Sequence, residues 1–472
     1  MLRGVSDSKT LSFHGGLFGA LLPFAVFLGG VTWLALAGAP DEKGFWPVLL
    51  AALTLGLLLC RDRGQYCEVA LDGMGQPIVM VMILAWLLSG ALGAILAASG
   101  FIESLAWLAS AAHLKGPGFV AASFVACALV STSTGTSFGT ILLAGPLLYP
   151  AGGAVGANPA VLIGAILGGA TFGDSISPIS DTTIASAGTQ GADIGGVVRS
   201  RLKYVIPAGL ASIIASVALD VAQHPASISG VQAIATSARG LPMLLVPALV
   251  IGLLIARRHL IEGLLFGILA AVILGLGLRL LNPSDIVHID RATFSAKGLI
   301  VDGMGRGVGA SIFTIFLVGL VSTLQATGAL DRLVHWATRP GTTARGTEIW
   351  IVSAVSGAVL LTTHSIVAML AVGEMARQSG EAAGLSPYRR ANLLDMTVCT
   401  WPFLMPYCIP TILASSASGA GAQYGLPRIS PFAAGMHNTY SWALAVAVIL
   451  AVATGFGRRE AAGNTPRQRL SS

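Results

Sequence analysis

The stretch Gly168–Gly188, GGATFGDSISPISDTTIASAG, decides the fold. It follows an apolar run, Asn158–Leu167, and therefore falls at membrane depth. Within it stand two carboxylates, Asp174 and Asp181, one proline, Pro178, and the hydroxyls of Ser175, Ser177, Ser180, Thr182 and Thr183. A bilayer core penalises such groups, so they persist where they line a cavity or bind something. Gly173 and Pro178 are expected to bracket an unwound point. Broken helices are tolerated in membranes only where protein or a water-filled site satisfies the freed backbone. This is the profile of a cation site in a secondary transporter.

Composition agrees. Of the 472 residues, 54% are hydrophobic and 10% charged, against about 25% charged in a soluble domain. The length leaves room for ten or more spans of about 20 residues. The net charge of +6 is scattered among loops without a nucleic-acid motif, so no nucleic-acid partner is expected. The five cysteines, Cys60, Cys67, Cys127, Cys399 and Cys408, lack metal-ligand spacing and read as small packing residues. Ala35-Leu36-Ala37 resembles a signal-cleavage site. The apolar run Gly15–Ala37 is nevertheless longer than the roughly 7–15 residues of a cleaved signal, and it reads as a first transmembrane helix.

The chain also repeats itself. Asp72-Gly73-Met74-Gly75 recurs as Asp302-Gly303-Met304-Gly305, and Ala98–Glu103 is echoed by Ala326–Asp331. Ser131–Thr134 falls opposite Leu361–His364, Pro159 opposite Pro387, Pro178 opposite Pro406 and Thr183 opposite Thr411, at a near-constant offset of 228–230. The expected halves are 1–230 and 231–472. In each, three helices precede two apolar pieces around a polar tip (131–137 and 361–365). A broken helix comes next (158–188 and 386–419), then a last helix. Pieces too short to span suggest re-entrant hairpins. The expected fold is an all-α polytopic membrane protein of about ten transmembrane helices plus two re-entrant helical hairpins. Five crossings per half make the two repeats inverted in the membrane. With both termini cytoplasmic, 19 of the 27 Lys and Arg, including Arg201, Arg389 and Arg390, face inside and 8 outside, as the positive-inside rule requires.

Asp174 and Asp181 are seven apart with Ser177 between them. These three form the expected Na+ site, because a small hard cation takes oxygen ligands and a desolvated carboxylate favours neutralisation by a proton or a cation. Alternatively, Asp181 caps the half-helix that begins near Thr182. Thr182, Thr183 and the tip hydroxyls of Ser133, Thr134 and Thr136 are candidate binding groups, although Ser and Thr also favour caps and turns. In the second half, Asp395 and His364 are intramembrane ionisable residues and join the candidates. The second break has three prolines, Pro402, Pro406 and Pro410, but no carboxylate between Thr400 and Thr411. No arginine is expected at either break to clamp an anion. Gly135–Gly139 (GTSFG) formally matches a nucleophile elbow, but that motif needs a strand before it. No enzyme is expected.

At these residues a resemblance becomes specific. GATFGDSISPISDTT (Gly169–Thr183) resembles the signature of the NhaC-type Na+/H+ antiporter family, within the ion-transporter superfamily. TGTSFGT (Thr134–Thr140) and GADIGGVVRSRLKY (Gly191–Tyr204) are similar to its hairpin motif and to the polar stretch after its broken helix. The resemblance implies exchange of Na+ or Li+ for H+ across a bacterial inner membrane, with the lipid bilayer as partner and no cofactor beyond the transported ions. It is compatible with a homodimer. Some relatives also exchange small organic acids, so a carboxylate or amino-acid transporter is the second reading.

Inverted repeats would place the two tips on opposite access routes. Cysteines at Thr134 and Thr363, on a background without native cysteines, should be labelled by impermeant reagents from opposite sides of the membrane. Labelling of both from one side only would refute the crossing count.

Overall fold

The computed structural model describes residues 10–36, 42–223, 236–291, 294–328 and 343–458. Ala37, the repeat ending Ala329-Leu330-Asp331, and Arg3, Lys9, Arg332, Arg339, Arg459, Arg467 and Arg469 of the inside set lie outside the described residues. The described chain is helical nearly throughout, with one antiparallel strand pair, His288–Asp290 with Ser295–Lys297. Nine helices among the described residues are long and apolar enough to cross a membrane. Seven coincide with expected crossings; the other two, Gly116–Thr134 and Ala344–Thr362, are the first arms of the expected hairpins. Large apolar side chains such as Phe18, Trp33, Leu129, Ile214 and Ile449 point outward. This is an all-α polytopic membrane protein.

The hairpin arms are longer than expected. They run Gly116–Thr134 and Ser137–Ala154, then Ala344–Thr362 and Ser365–Ala382, each 18 or 19 residues long. The reason lies in the tip hydroxyls. Thr132 Oγ1 donates to Ala128 O (2.6 Å) and Ser133 Oγ to Leu129 O (2.8 Å), which extends the helix instead of turning it. The tips shrink to Gly135-Thr136 and Thr363-His364. The turn at each demands a left-handed residue, Gly135 at φ +71° and Thr363 at φ +55°.

The first broken helix runs Pro159–Ile176 and resumes at Asp181–Gln190. Ser177 is extended (ψ 126°), as a residue preceding proline is driven to be. Gly173 does not unwind the helix, contrary to expectation. With Gly169 it admits the first hairpin arm: a Cβ on Gly169 would lie 2.2 Å from Phe124 O, and one on Gly173 2.3 Å from Ala128 O. Small residues four apart let membrane helices approach backbone to backbone in this way. The second break is wider, from Pro387–Val398 to Ile409–Ser418, with a short 3-10 turn at Trp401–Phe403.

Other boundaries shift as well. The last helix of the first half starts at Ile194, capped by Asp193, whose carboxylate accepts Gly196 N–H. The last span divides into Pro431–Met436 and Thr439–Thr454, and a Cβ on Gly164 would sit 2.1 Å from the His437 carbonyl at that division. Helices at Arg63–Met74 and Phe101–Ala111 were not expected. No cysteine is bonded to another, and Cys67 is exposed, not packed. Each DGMG segment crosses a helix of the other half. A Cβ on Gly73 would lie 2.2 Å from Ser322 Oγ, and one on Gly303 2.7 Å from Gly90 O.

These contacts predict a contrast. Gly169→Ala should destabilise the folded protein by about 1–3 kcal/mol through overpacking against backbone that cannot yield. Gly188→Ala, where nothing lies within 4 Å, should be neutral or stabilising by up to about 1 kcal/mol. Thermal unfolding of the two purified variants checks the difference.

Candidate functional site

One cavity gathers all four interrupted segments. It is lined by Thr136 and Ser137 of the first tip, Asp174, Asp181 and Thr182 of the first break, and His364 of the second tip, with Pro402, Phe403 and Pro410 of the second break behind them. The first tip is locked to the first break. Ser131 Oγ donates to Ala170 O (2.7 Å), Ser177 Oγ to Thr132 O (2.8 Å) and Ser137 Oγ to Asp174 Oδ2 (3.2 Å). Gly135 lies so close to Ile179 that a Cβ there would meet the Ile179 carbonyl at 2.8 Å.

The cavity therefore unites five of the sequence candidates: Asp174, Asp181, Thr182, Thr136 and His364. Asp174 is buried, and among the described residues the hydroxyls of Ser180 and Ser137 bond its carboxylate, with no basic group paired to it. Asp181 is exposed at the cavity and occupies the first helical position; Ser180, not Asp181, is the N-cap residue. An acid there still complements the positive end of the helix. The buried Nδ1 of His364 has no hydrogen-bond partner among the described residues.

The other candidates are engaged elsewhere. Ser177, expected as a cation ligand, spends its hydroxyl on the hairpin backbone. Ser133 bonds back to its own helix and is exposed. Thr134 does not line the cavity, and its Oγ1 is buried without a partner among the described residues. Thr183 Oγ1 accepts from Arg201 Nη1 (3.0 Å). Asp395 is fully buried in an ion pair, its Oδ2 2.6 Å from Arg201 Nη2, and it also accepts from Ser186 Oγ (3.1 Å).

Arg201 is the residue that sequence reasoning misplaced. Expected in a cytoplasmic loop, it is wholly buried. Its Nη1 also donates to Ser175 O at the first break (2.9 Å), and its Nε to Asn392 Oδ1 (3.1 Å). An arginine thus does stand against a break, with its charge committed to Asp395. The signal was Asp193, an N-cap that starts the helix early and carries Arg201 about two turns inside it. The Tyr388 hydroxyl, ahead of Gly196 N–H, holds the Asp193 carboxyl below the usual carboxylate range. Arg389 and Arg390 are buried too, the first on Glu348 (2.9 Å) and the second on Gln190 Oε1 (3.0 Å). Without these three arginines the expected inside set still counts 16 against 8.

The elbow-like GTSFG joins two helices with no strand before it. Fold and cavity together define a multi-pass membrane protein with a polar site at its helix breaks. Residues 71–221 match the model of the Na+/H+ antiporter family, a transporter family. The chain is similar to NhaC-type Na+/H+ antiporters. An Na+/H+ antiporter NhaC of Alkalihalophilus pseudofirmus is 28% identical over 319 residues, 61% of this chain and 66% of the relative. The NhaC of Bacillus subtilis is 31% identical over 212 residues, 42% of this chain and 44% of the relative. The malate-2H+/Na+-lactate antiporter of Bacillus subtilis is 25% identical over 330 residues, 67% of this chain and 66% of the relative. The chain thus spans just under two thirds of the first and third of these, and less of the second.

Removing one member of a buried ion pair strands the other. Arg201→Met should destabilise the fold by about 3–5 kcal/mol, and the double variant Arg201→Met/Asp395→Leu should recover most of that loss. Thermal unfolding of the single and double variants measures the coupling. Equal loss in both would deny that the pair is the interaction broken.

Proposed function

We propose that this chain is a secondary active transporter of the bacterial inner membrane that exchanges Na+ or Li+ for H+ by alternating access. It works through two inverted repeats, 1–230 and 231–472, with both termini in the cytoplasm. The observation that carries this reading is Asp174. Of the three carboxylates named by the sequence, Asp395 is neutralised by Arg201 and Asp181 is exposed. Asp174 alone among them is both buried and without a basic partner. A buried, uncompensated charge is costly, so the group is stable when it carries either a proton or a bound cation. Around it the cavity offers oxygen donors: Thr136, Ser137, Ser180, Asp181 and Thr182. Hydroxyl and carboxylate oxygens suit a hard cation. One carboxylate that holds H+ or Na+, but not both, is an exchanger if it faces the two sides in turn.

The relatives named as Na+/H+ antiporters support the ion pair chosen. The malate-2H+/Na+-lactate relative supports a second reading, in which a small carboxylate moves as well.

Reconstituted in liposomes, the protein should collapse a preset pH gradient on addition of Na+ or Li+ with no organic anion present. Asp174→Asn should reduce this to background, because an amide neither titrates nor supplies charge. Collapse seen only with malate, lactate or an amino acid would favour the second reading. Full exchange by a well-folded Asp174→Asn protein would exclude Asp174 as the site. Competition also fixes a sign with pH. As pH falls, protonation removes the charge that Na+ needs, so the apparent Na+ affinity should weaken by up to about tenfold per pH unit. The maximal rate at saturating Na+ should change much less. An affinity flat from about pH 6 to 9 would place the proton elsewhere.

A further inference from the structure

The second DGMG segment builds a feature that cation exchange leaves unused. The glycine crossing of Gly303 on Gly90 brings Arg306, just beyond the motif, over a crevice between the Pro77–Ala98 helix, the second arm of the first hairpin and the Ile409–Ser418 helix. A Cβ on Gly307 would lie 2.8 Å from the Trp86 carbonyl, so the backbone is pressed onto that helix here too. The half-buried Arg306 guanidinium makes no hydrogen bond or ion pair among the described residues. Its charged neighbour Asp302 is exposed and turned to the Gly298 N–H (3.4 Å), and Tyr424 is its other polar neighbour.

A second donor faces the same problem. Trp86 is 3% exposed, lines the crevice and has an Nε1–H with no acceptor among the described residues. Buried polar groups are normally satisfied, and a half-buried guanidinium with no ion-pair partner among the described residues can take up an anion. Ser416 adds a hydroxyl, and no lining residue is acidic. The repeat sharpens the point. At an offset of 230 the first-half counterpart of Arg306 is Gln76. The halves are therefore unequal in opposite senses: the first carries the carboxylate-rich break and the second carries this unpaired cation.

We infer that the crevice under Arg306 is a binding site for a small monocarboxylate, held by the guanidinium fork and the Trp86 indole N–H. A planar carboxylate matches the two parallel N–H donors of an arginine. One guanidinium, with no second cation lining the crevice, selects a single carboxylate over a dicarboxylate. The close backbone approach of Gly90 to Gly303 and of Gly307 to Trp86 keeps the crevice narrow, which limits the acid to a few carbons. This site is separate from the Asp174 cavity and does not depend on what that cavity transports.

Binding tests it without transport. Purified full-length protein is titrated with choline acetate and choline lactate, at ionic strength fixed with choline chloride, and followed by calorimetry and by thermal unfolding. The expected result is saturable binding and a raised Tm with at least one of the two acids. Arg306→Gln should weaken that binding by at least about tenfold, equivalent to about 1.4 kcal/mol. Trp86→Phe, which keeps the ring and removes the N–H, should weaken it less. A cooperative thermal transition in the absence of either acid, at a Tm close to that of the unaltered protein, shows that both variants are folded. Absence of saturable binding by the unaltered protein would overturn the inference, as would equal binding by a folded Arg306→Gln variant. Arg306-dependent binding of chloride with none of either acid would replace the carboxylate by a halide and overturn it too.

Discussion

The close approach of the first broken helix to the first hairpin arm is the constraint on which the site depends. Gly169 and Gly173 remove the side chains that would hold the backbones apart, and Phe124 O and Ala128 O occupy the vacated space. Only at that separation can Ser131 reach the Ala170 carbonyl and Ser177 the Thr132 carbonyl. Those bonds satisfy backbone acceptors beside a break in a medium with no water to do so. They also bring the Ser137 hydroxyl onto Asp174. Of the hydroxyls near the break, Ser131 and Ser177 belong to this lock, Ser175 bonds back to its own helix and Thr183 is held by Arg201, which leaves a small set lining the cavity.

Charge is distributed by the same logic. Arg201 sits between the halves, bonded to the Ser175 carbonyl and Thr183 at the first break and to Asp395 and Asn392 in the second half. It ties two discontinuous helices together while neutralising one buried carboxylate. A buried pair of this kind adds little net stability, but removing either member is costly. The pairing removes Asp395 from competition for a mobile ion and leaves Asp174, of the three carboxylates singled out by the sequence, as the buried one with no basic partner among the described residues. At the base of the second hairpin, Glu348 is likewise held by Arg389 and Arg458, at 2.9 and 2.5 Å.

The two DGMG segments show the repeat used as a structural device. Each presents a glycine to the long helix of the opposite half, so the halves embrace through the same contact made twice. The residue just beyond the motif differs between the two contacts, Gln76 in one half and Arg306 in the other. Similar scaffolds thus carry dissimilar chemistry, and the lopsidedness seen at the breaks extends to this second place.

The sequence by itself determined the class of the protein, the positions of both helix breaks and both hairpin tips, and the carboxylates worth attention. Each of these is a local signal: apolar length, a proline that drives its predecessor out of the helix, an acid where hydrocarbon should be. Partners were beyond its reach. Ser177 and Asp174 look equivalent as oxygen donors, yet one bonds the hairpin backbone and the other faces a cavity, because that depends on which helix packs alongside. Arg201 looked like a loop cation because it stands in the polar run Arg199–Lys203; only the tertiary structure supplied Asp395, almost two hundred residues away, to neutralise it. Gly173 illustrates the same limit. A glycine beside a proline reads as a point of unwinding, whereas here its missing side chain is room for another backbone, and that room exists only once the chain has folded around it.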